Sequence, residues 1–244
     1  MRKNYVTPTY HPMGDQALVI QFEHVVSLEV SKRVHALTQR IKNSKLPGVK
    51  DLFPAFNNLT VCYDPAVIQY DELIKRVDPL IGDLSGESAL DSKTIHVPVV
   101  FGGEYGPDLE EIAERSGLKS FEVVELLTSQ PFLVYMIGFI AGYAYCGDID
   151  PRLSFPRRAN PRPKVRKGTI QIVNQQTGIF TMTAPSGWHL VGWTPMEMFN
   201  PYANPPSLLA AGNYLRYVPI EKEEAEAWDE RKQREWDERW NLST

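Results

Sequence analysis

From residue 132 to residue 220 the chain breaks into short apolar runs, "FLVYMIGF", "GTIQIV", "GIFTMT", "HLVGW" and "LRYVPI", separated by Gly, Pro, Asn and Ser. Runs this short are strands rather than helices, and many at close spacing predict a closed β-barrel or a sandwich. The residues before them read differently. "QALVIQF" (16–22) predicts a strand, and Val30, Val34, Leu37 and Ile41 recur at the spacing of one helical face. "NLTVCY" (58–63) predicts another strand, after which Leu73, Ile74, Val77 and Ile81 outline a second helix disturbed by Pro79 and Gly82.

The polar stretch 83–93, with its glycine and serines, has the composition of a linker. The expected organisation is therefore an α+β protein: a small N-terminal α/β domain (1–82), a linker (83–93), a mainly β domain (94–220) and a charged C-terminal tail (221–244). Within the second domain "TIHVPVVF" (94–101) predicts a strand. "PDLEEIAERSG" predicts a short helix with Asp108 as its N-cap and Gly117 past its end, and another helix follows from Ser120. In the tail, Ala225, Trp228, Trp236 and Trp240 fall in one helical stripe that should dock on something.

Charge and cysteine content narrow the function. A net charge of −4 offers no overall basic field for nucleic acid. Cys62 and Cys146 do not form a zinc or disulfide pattern, and the five histidines are scattered without ligand spacing, so no metal site is expected. The N-terminus lacks a secretory apolar region and no stretch reaches the length of a membrane span, which points to a cytoplasmic protein. "GGEYG" (102–106) lacks the lysine and hydroxyl of a phosphate loop and reads as a tight turn. No Ser/His/Asp order or G-x-S-x-G elbow supports nucleophilic hydrolysis, and no general base stands out.

One stretch joins two textures: "GFIAGYAYCGDIDPRLSFPRRANPRPK" (138–164) starts apolar and glycine-spaced and ends basic and proline-stiffened. No Asp or Glu occurs between Pro151 and Met196, while Arg152, Arg157, Arg158, Arg162, Lys164, Arg166 and Lys167 crowd the first part of that window. Guanidinium forks suit carboxylate or phosphate. From charge alone a solvated loop is the simpler reading, and the glycines and rings alone would also suit a strand bending at a barrel corner. The other reading of the two together is a pocket with an aromatic floor and a basic rim, and the residues alone leave these readings open.

The motifs "GDQALVIQF", "GGEYGPDLEEIA", "VYMIGFIAGYAYCGDID", "PRRANPRPKVRKGTI", "QTGIF" and "PSGWHLVGWTP", in this order from about residue 14 to 220, resemble the KipI / PxpB / allophanate hydrolase subunit 1 family. The resemblance implies a cyclophilin-like β-barrel after the α/β domain. It implies a PxpB-like component of an ATP-dependent 5-oxoprolinase, a non-autonomous cyclic-amide hydrolase acting with PxpA-like and PxpC-like (allophanate hydrolase subunit 2-like) partners, with ATP as a cofactor entering through the complex. Two other family roles stay open: a regulatory inhibitor of a sensor histidine kinase, and an accessory subunit of an allophanate hydrolase or urea carboxylase system. Carried over by position, Gly138, Phe139, Gly142, Tyr143, Tyr145, Pro156, Arg157, Pro161, Arg162, Gln175, Thr177, Gly178, Pro185, Gly187 and Trp188 form the implied pocket for a small carboxylate or cyclic amide. The chain departs from the family pattern at Leu127, Ala141, Arg166-Lys167, Ser186 and Trp193.

Overall fold

The computed structural model describes residues 7–82, 84 and 92–241, so the expected linker 83–93 lies, but for residues 84, 92 and 93, outside the described residues. The chain forms two compact units divided between residues 91 and 92.

In the first unit, β1 (Thr9–Pro12), β2 (Ala17–Gln21), β3 (Val49–Pro54) and β4 (Asn58–Tyr63) form an antiparallel sheet in the order β1-β2-β4-β3. Strand period 2 is plain in β4, where Leu59, Val61 and Tyr63 are buried and the residues between them are half-buried. Helix α1 (Leu28–Ser44) starts at Ser27, whose hydroxyl accepts from the Val30 amide, and buries Val30, Val34, Leu37 and Ile41 in the same core. Helix α2 (Tyr70–Val77) adds Leu73 and Val77, but it stops short of Ile81. Pro79 supplies no backbone N–H, and the chain tightens into a 3₁₀ turn over Asp78–Ile81.

The second unit contains β5 (Thr94–Phe101), α3 (Leu109–Ser116), α4 (Ser120–Thr128), β6 (Phe132–Ile137), β7 (Ala144–Gly147), β8 (Arg162–Val165), β9 (Thr169–Val173), β10 (Gln176–Ile179), β11 (Ala184–Ser186), β12 (His189–Trp193) and β13 (Tyr214–Pro219). Among the described residues seven of these strands close a barrel in the order β10-β7-β6-β13-β5-β12-β9, with β9 pairing back on β10. Closure removes the exposed edges that an open sheet would carry. The β5–β13 pair is parallel, from Tyr214 opposite Thr94 to Pro219 opposite Val99. Val97, Val99, Val134, Cys146, Ile170, Ile172, Val191, Leu215 and Tyr217 belong to the core, and α3 and α4 add Ile112, Val123 and Leu127 to it. Leu127 is fully buried there, so the apolar residue at this position is a packing element.

The tail is two helices, α5 (Lys222–Glu226) and α6 (Glu230–Trp240), where the sequence predicts one. Asp229 breaks the run because its carboxylate accepts the Lys232 amide at 2.8 Å and caps a new helix. The tryptophan stripe docks on the chain's own barrel. Trp236 donates its indole N–H to the His96 carbonyl at 2.9 Å, and the His96 amide donates to the Asn241 side chain at 2.8 Å.

Candidate functional site

The glycine-aromatic run is the turn from β6 to β7. The Gly138 amide bonds the Tyr143 carbonyl at 3.0 Å, the Tyr143 amide bonds the Ile140 carbonyl at 3.1 Å, and Gly142 takes φ +72°. A Cβ at Gly142 would stand 2.7 Å from the Phe199 ring, so this glycine permits both a left-handed turn and a close approach. The turn projects Phe139, which is 63% exposed, and aims Tyr143 inward. Tyr143 then anchors a cluster of rings with Tyr145 (4.9 Å between centroids), Phe180 (5.7 Å) and Trp188 (6.2 Å), the Tyr145 and Trp188 contacts being edge-on. These rings form much of the lining of a cleft of about 380 Å³.

Two guanidinium groups reach that cleft, and they are not equivalent. Arg157 is exposed, lines the cleft and makes no side-chain hydrogen bond or ion pair among the described residues. Arg158 also lines it, but its Nη1 is held by Asp108 (3.0 Å) and Glu111 (3.3 Å), and its own amide bonds the Gly187 carbonyl at 2.8 Å. Arg162 is absent from the lining. Both of its Nη atoms are spent on Asp108, at 2.9 and 2.7 Å.

Asp108 therefore does not cap α3 with its side chain as its position predicts. Its carboxylate accepts from Arg158, Arg162 and the Leu190 amide (2.7 Å). Burial pushes this carboxyl up, but the hydrogen bonds from Arg162 and Leu190 and the two positive charges outweigh it, leaving Asp108 below its ordinary value. The basic segment is neutralised in part by acids about fifty residues earlier. Nor is it entirely a loop: β8 pairs with β11, Val165 opposite Ala184 and Arg162 opposite Ser186.

The floor also carries a polar chain. Ser186 accepts the Trp188 amide at 3.0 Å and donates to Gln171 Oε1 at 2.6 Å, and Gln171 Nε2 donates to the Tyr143 hydroxyl at 2.9 Å. Burial raises the Tyr143 phenol well above its ordinary value, and it raises Tyr145 against the opposing charge of Arg157, so both stay protonated near neutrality.

Of the residues expected in the pocket, Phe139, Tyr143, Tyr145, Arg157, Pro161, Pro185, Gly187 and Trp188 line the cleft. Gly138, Gly142, Pro156, Arg162, Gln175, Thr177 and Gly178 do not. Pro156 offers its carbonyl to His189 Nε2 at 2.9 Å. Gln175 is exposed at the turn between β9 and β10, and its carbonyl accepts the Ile149 amide. Thr177 is fully buried, bonded to the Tyr217 hydroxyl at 2.8 Å and the Gln171 carbonyl at 3.1 Å. Gly178 acts from behind: a Cβ there would lie 2.3 Å from the Tyr143 hydroxyl. Gln171, Phe180 and Ser186 line the cleft without having been expected, and Arg158 joins them from the basic run though it is outside the carried-over positions. A glutamine inside the apolar strand "TIQIV" was the available signal, since a polar side chain buried there must have partners.

Among the described residues no group of three or more His, Cys, Asp or Glu gathers as metal ligands, and no helix is long and apolar enough to cross a membrane.

Comparison with known proteins sets this geometry in a family. The model of the carboxyltransferase domain, subdomain C and D, matches residues 8–209. The B component of 5-oxoprolinase from Bacillus subtilis (strain 168) is 34% identical over 228 residues, covering 89% of this chain and 95% of that one. The protein of the same name from Escherichia coli O157:H7 is 36% identical over 208 residues, 85% of this chain and 94% of that one. Among solved structures, PH0987 from Pyrococcus horikoshii aligns with a TM-score of 0.54 at 36% identity over 88% of this chain and 99% of that one. TTHA0988 aligns with a TM-score of 0.73 at 29% identity over 84% of this chain but only 40% of its own. The urea amidolyase of K. lactis, at 17% identity and a TM-score of 0.73, shares the fold. The chain thus belongs to the carboxyltransferase subdomain C and D family, the one that includes the B component of 5-oxoprolinase.

Proposed function

We propose that the chain is the B-type component of an ATP-dependent 5-oxoprolinase, working in the cytoplasm with A-type and C-type partners. The relatives' names support the reaction, and the cleft supports the division of labour. The observation that carries it is Arg157, a guanidinium uncommitted among the described residues, over an aromatic cleft whose lining, among those residues, contains no Asp, Glu or His. Arg157 offers a planar fork to a carboxylate, and the rings close around a small ring. With neither carboxylate nor imidazole on the wall, this cleft binds and orients. Proton transfer and the coupling to ATP fall to the partners.

The test is reconstitution. ATP-dependent hydrolysis of 5-oxoproline by the A-type and C-type partners from the same organism should require this chain and fall sharply with Arg157→Ala. Equal rates with and without the chain would overturn the proposal.

A further inference from the structure

Gln171 is buried, 2% exposed, and lines the cleft. Its amide is oriented from outside. Ser186 already accepts the Trp188 amide, so its hydroxyl proton goes to Gln171 Oε1 at 2.6 Å and fixes the oxygen end of the amide. The nitrogen end then faces Tyr143, and the hydroxyl there takes one N–H at 2.9 Å. An amide nitrogen carries two N–H groups. The second has no partner among the described residues. A buried donor left in that state is costly, and an acceptor on a bound molecule would relieve it.

The rest of the lining agrees on what that acceptor belongs to. Arg157 at the rim is a donor, and among the described residues no carboxylate lines the cleft to attract a cation. The complement is a small molecule with acceptors at both ends. We infer that Gln171, held in register by Ser186, is a specificity-determining residue that reads a carbonyl on the ligand, so that the cleft selects a carboxylate bearing a ring carbonyl over the same carboxylate without one. This deepens the proposed function and rests on it, since 5-oxoproline has both groups. A site built to hydrogen-bond a polar group rejects the analogue lacking it far more strongly than an apolar pocket rejects a change in size.

The experiment compares binding of 3-oxocyclopentanecarboxylate, the carbon analogue of 5-oxoproline, and cyclopentanecarboxylate, which differs from it only in lacking the ring carbonyl, by titration calorimetry on the chain and on its complex with the A-type and C-type partners. The wild type should prefer the carbonyl-bearing ligand by about 10-fold or more. Gln171→Met should reduce that preference to below about 3-fold, as expected for one lost neutral hydrogen bond or more. Ser186→Ala, a smaller change that keeps the test available if the first variant folds poorly, should reduce it part of the way. Arg157→Ala should weaken both ligands alike. A wild type without preference, a Gln171→Met protein that keeps it, or binding of neither probe to chain or complex would overturn the inference. The broader proposal fails separately: if Gln171→Met turns over 5-oxoproline with the partners as the wild type does, only the role of Gln171 is lost, whereas turnover without the chain removes the function itself.

Discussion

Arg162 and Asp108 meet fork to fork, Nη1 on Oδ2 at 2.9 Å and Nη2 on Oδ1 at 2.7 Å, across fifty-four residues of sequence. The carboxylate is almost wholly buried, and the same oxygens hold Arg158 and the Leu190 amide, so one side chain ties the start of α3 to β8 and β12. Arg162 is in this way a structural guanidinium, which leaves Arg157 as the one of the pair free to meet a ligand.

Replacing Asp108 by Asn should cost about 2–3 kcal/mol, below the range for fully buried pairs because the Arg158 and Arg162 side chains keep 27% and 28% of their exposure. The pH dependence follows from the depressed carboxyl. Its contribution is fully present above the unfolded value, about 3.9, and is lost as pH falls through the lower folded value. Urea midpoints of the wild type should therefore drop below about pH 4, and those of Asp108→Asn should drop less steeply there. Parallel pH curves would show that the pair does not form in solution.

Most strands of the barrel and helix α1 were legible because each is decided locally: "TIQIV" and "HLVGW" have no competing pattern, and Val30, Val34, Leu37 and Ile41 make one face, whereas β7 lies hidden inside the glycine-aromatic run. Asp108 does stand at the N-cap position of α3, but the partners of its carboxylate were not legible, for the opposite reason. In sequence it stands where an N-cap stands, and only the return of the chain at Arg158 and Arg162 gives its carboxylate stronger donors than the helix amides. The aromatic half of the cleft was legible through its glycines. Gln171 and Phe180 were not, because which residues of a barrel strand meet a cleft depends on register and on what crosses outside the strand.

Arg157→Ala and Arg162→Ala should separate binding from folding. Arg157 is exposed and unpaired, so its loss should leave stability within about 0.5 kcal/mol. Affinity for 5-oxoproline should fall about 10- to 100-fold, the value of a charge-assisted contact. Arg162→Ala should do the reverse, lowering the denaturation midpoint while sparing more of the affinity. Calorimetric titration beside a urea melt reads both, and equal binding losses would place Arg162 in the site after all.

Two glycines beside the cleft should respond oppositely to alanine. At Gly178 the added Cβ would stand 2.3 Å from the Tyr143 hydroxyl and 2.9 Å from the Ala144 carbonyl, so a ring in the floor or the backbone itself must move. A loss of about 1–3 kcal/mol is expected, with weakened ligand binding. At Gly187 the nearest atoms are 3.7–3.9 Å away, ordinary contact, and alanine should be tolerated. Denaturation of both variants checks the contrast.

The last prediction concerns the tail. Trp236 is 8% exposed, packs in the barrel's core cluster between Trp228 and Trp240, each 5.7 Å from it by ring centroid, and donates its indole N–H to the His96 carbonyl. Since that carbonyl belongs to β5, the tail is bound to a barrel strand by packing and by a directed hydrogen bond together. Trp236→Ala should cost about 3 kcal/mol, at the low end for a large buried aromatic because the site lies near the surface. For a unit of this size that corresponds to a fall in melting temperature of about 6–12 °C. Trp236→Phe keeps a ring but loses the N–H, and should recover most of the loss while staying about 1 kcal/mol below the wild type. Were Trp236→Ala to melt with the wild type, α6 would have to be detached from the barrel in solution, and the tail would be free to serve another surface.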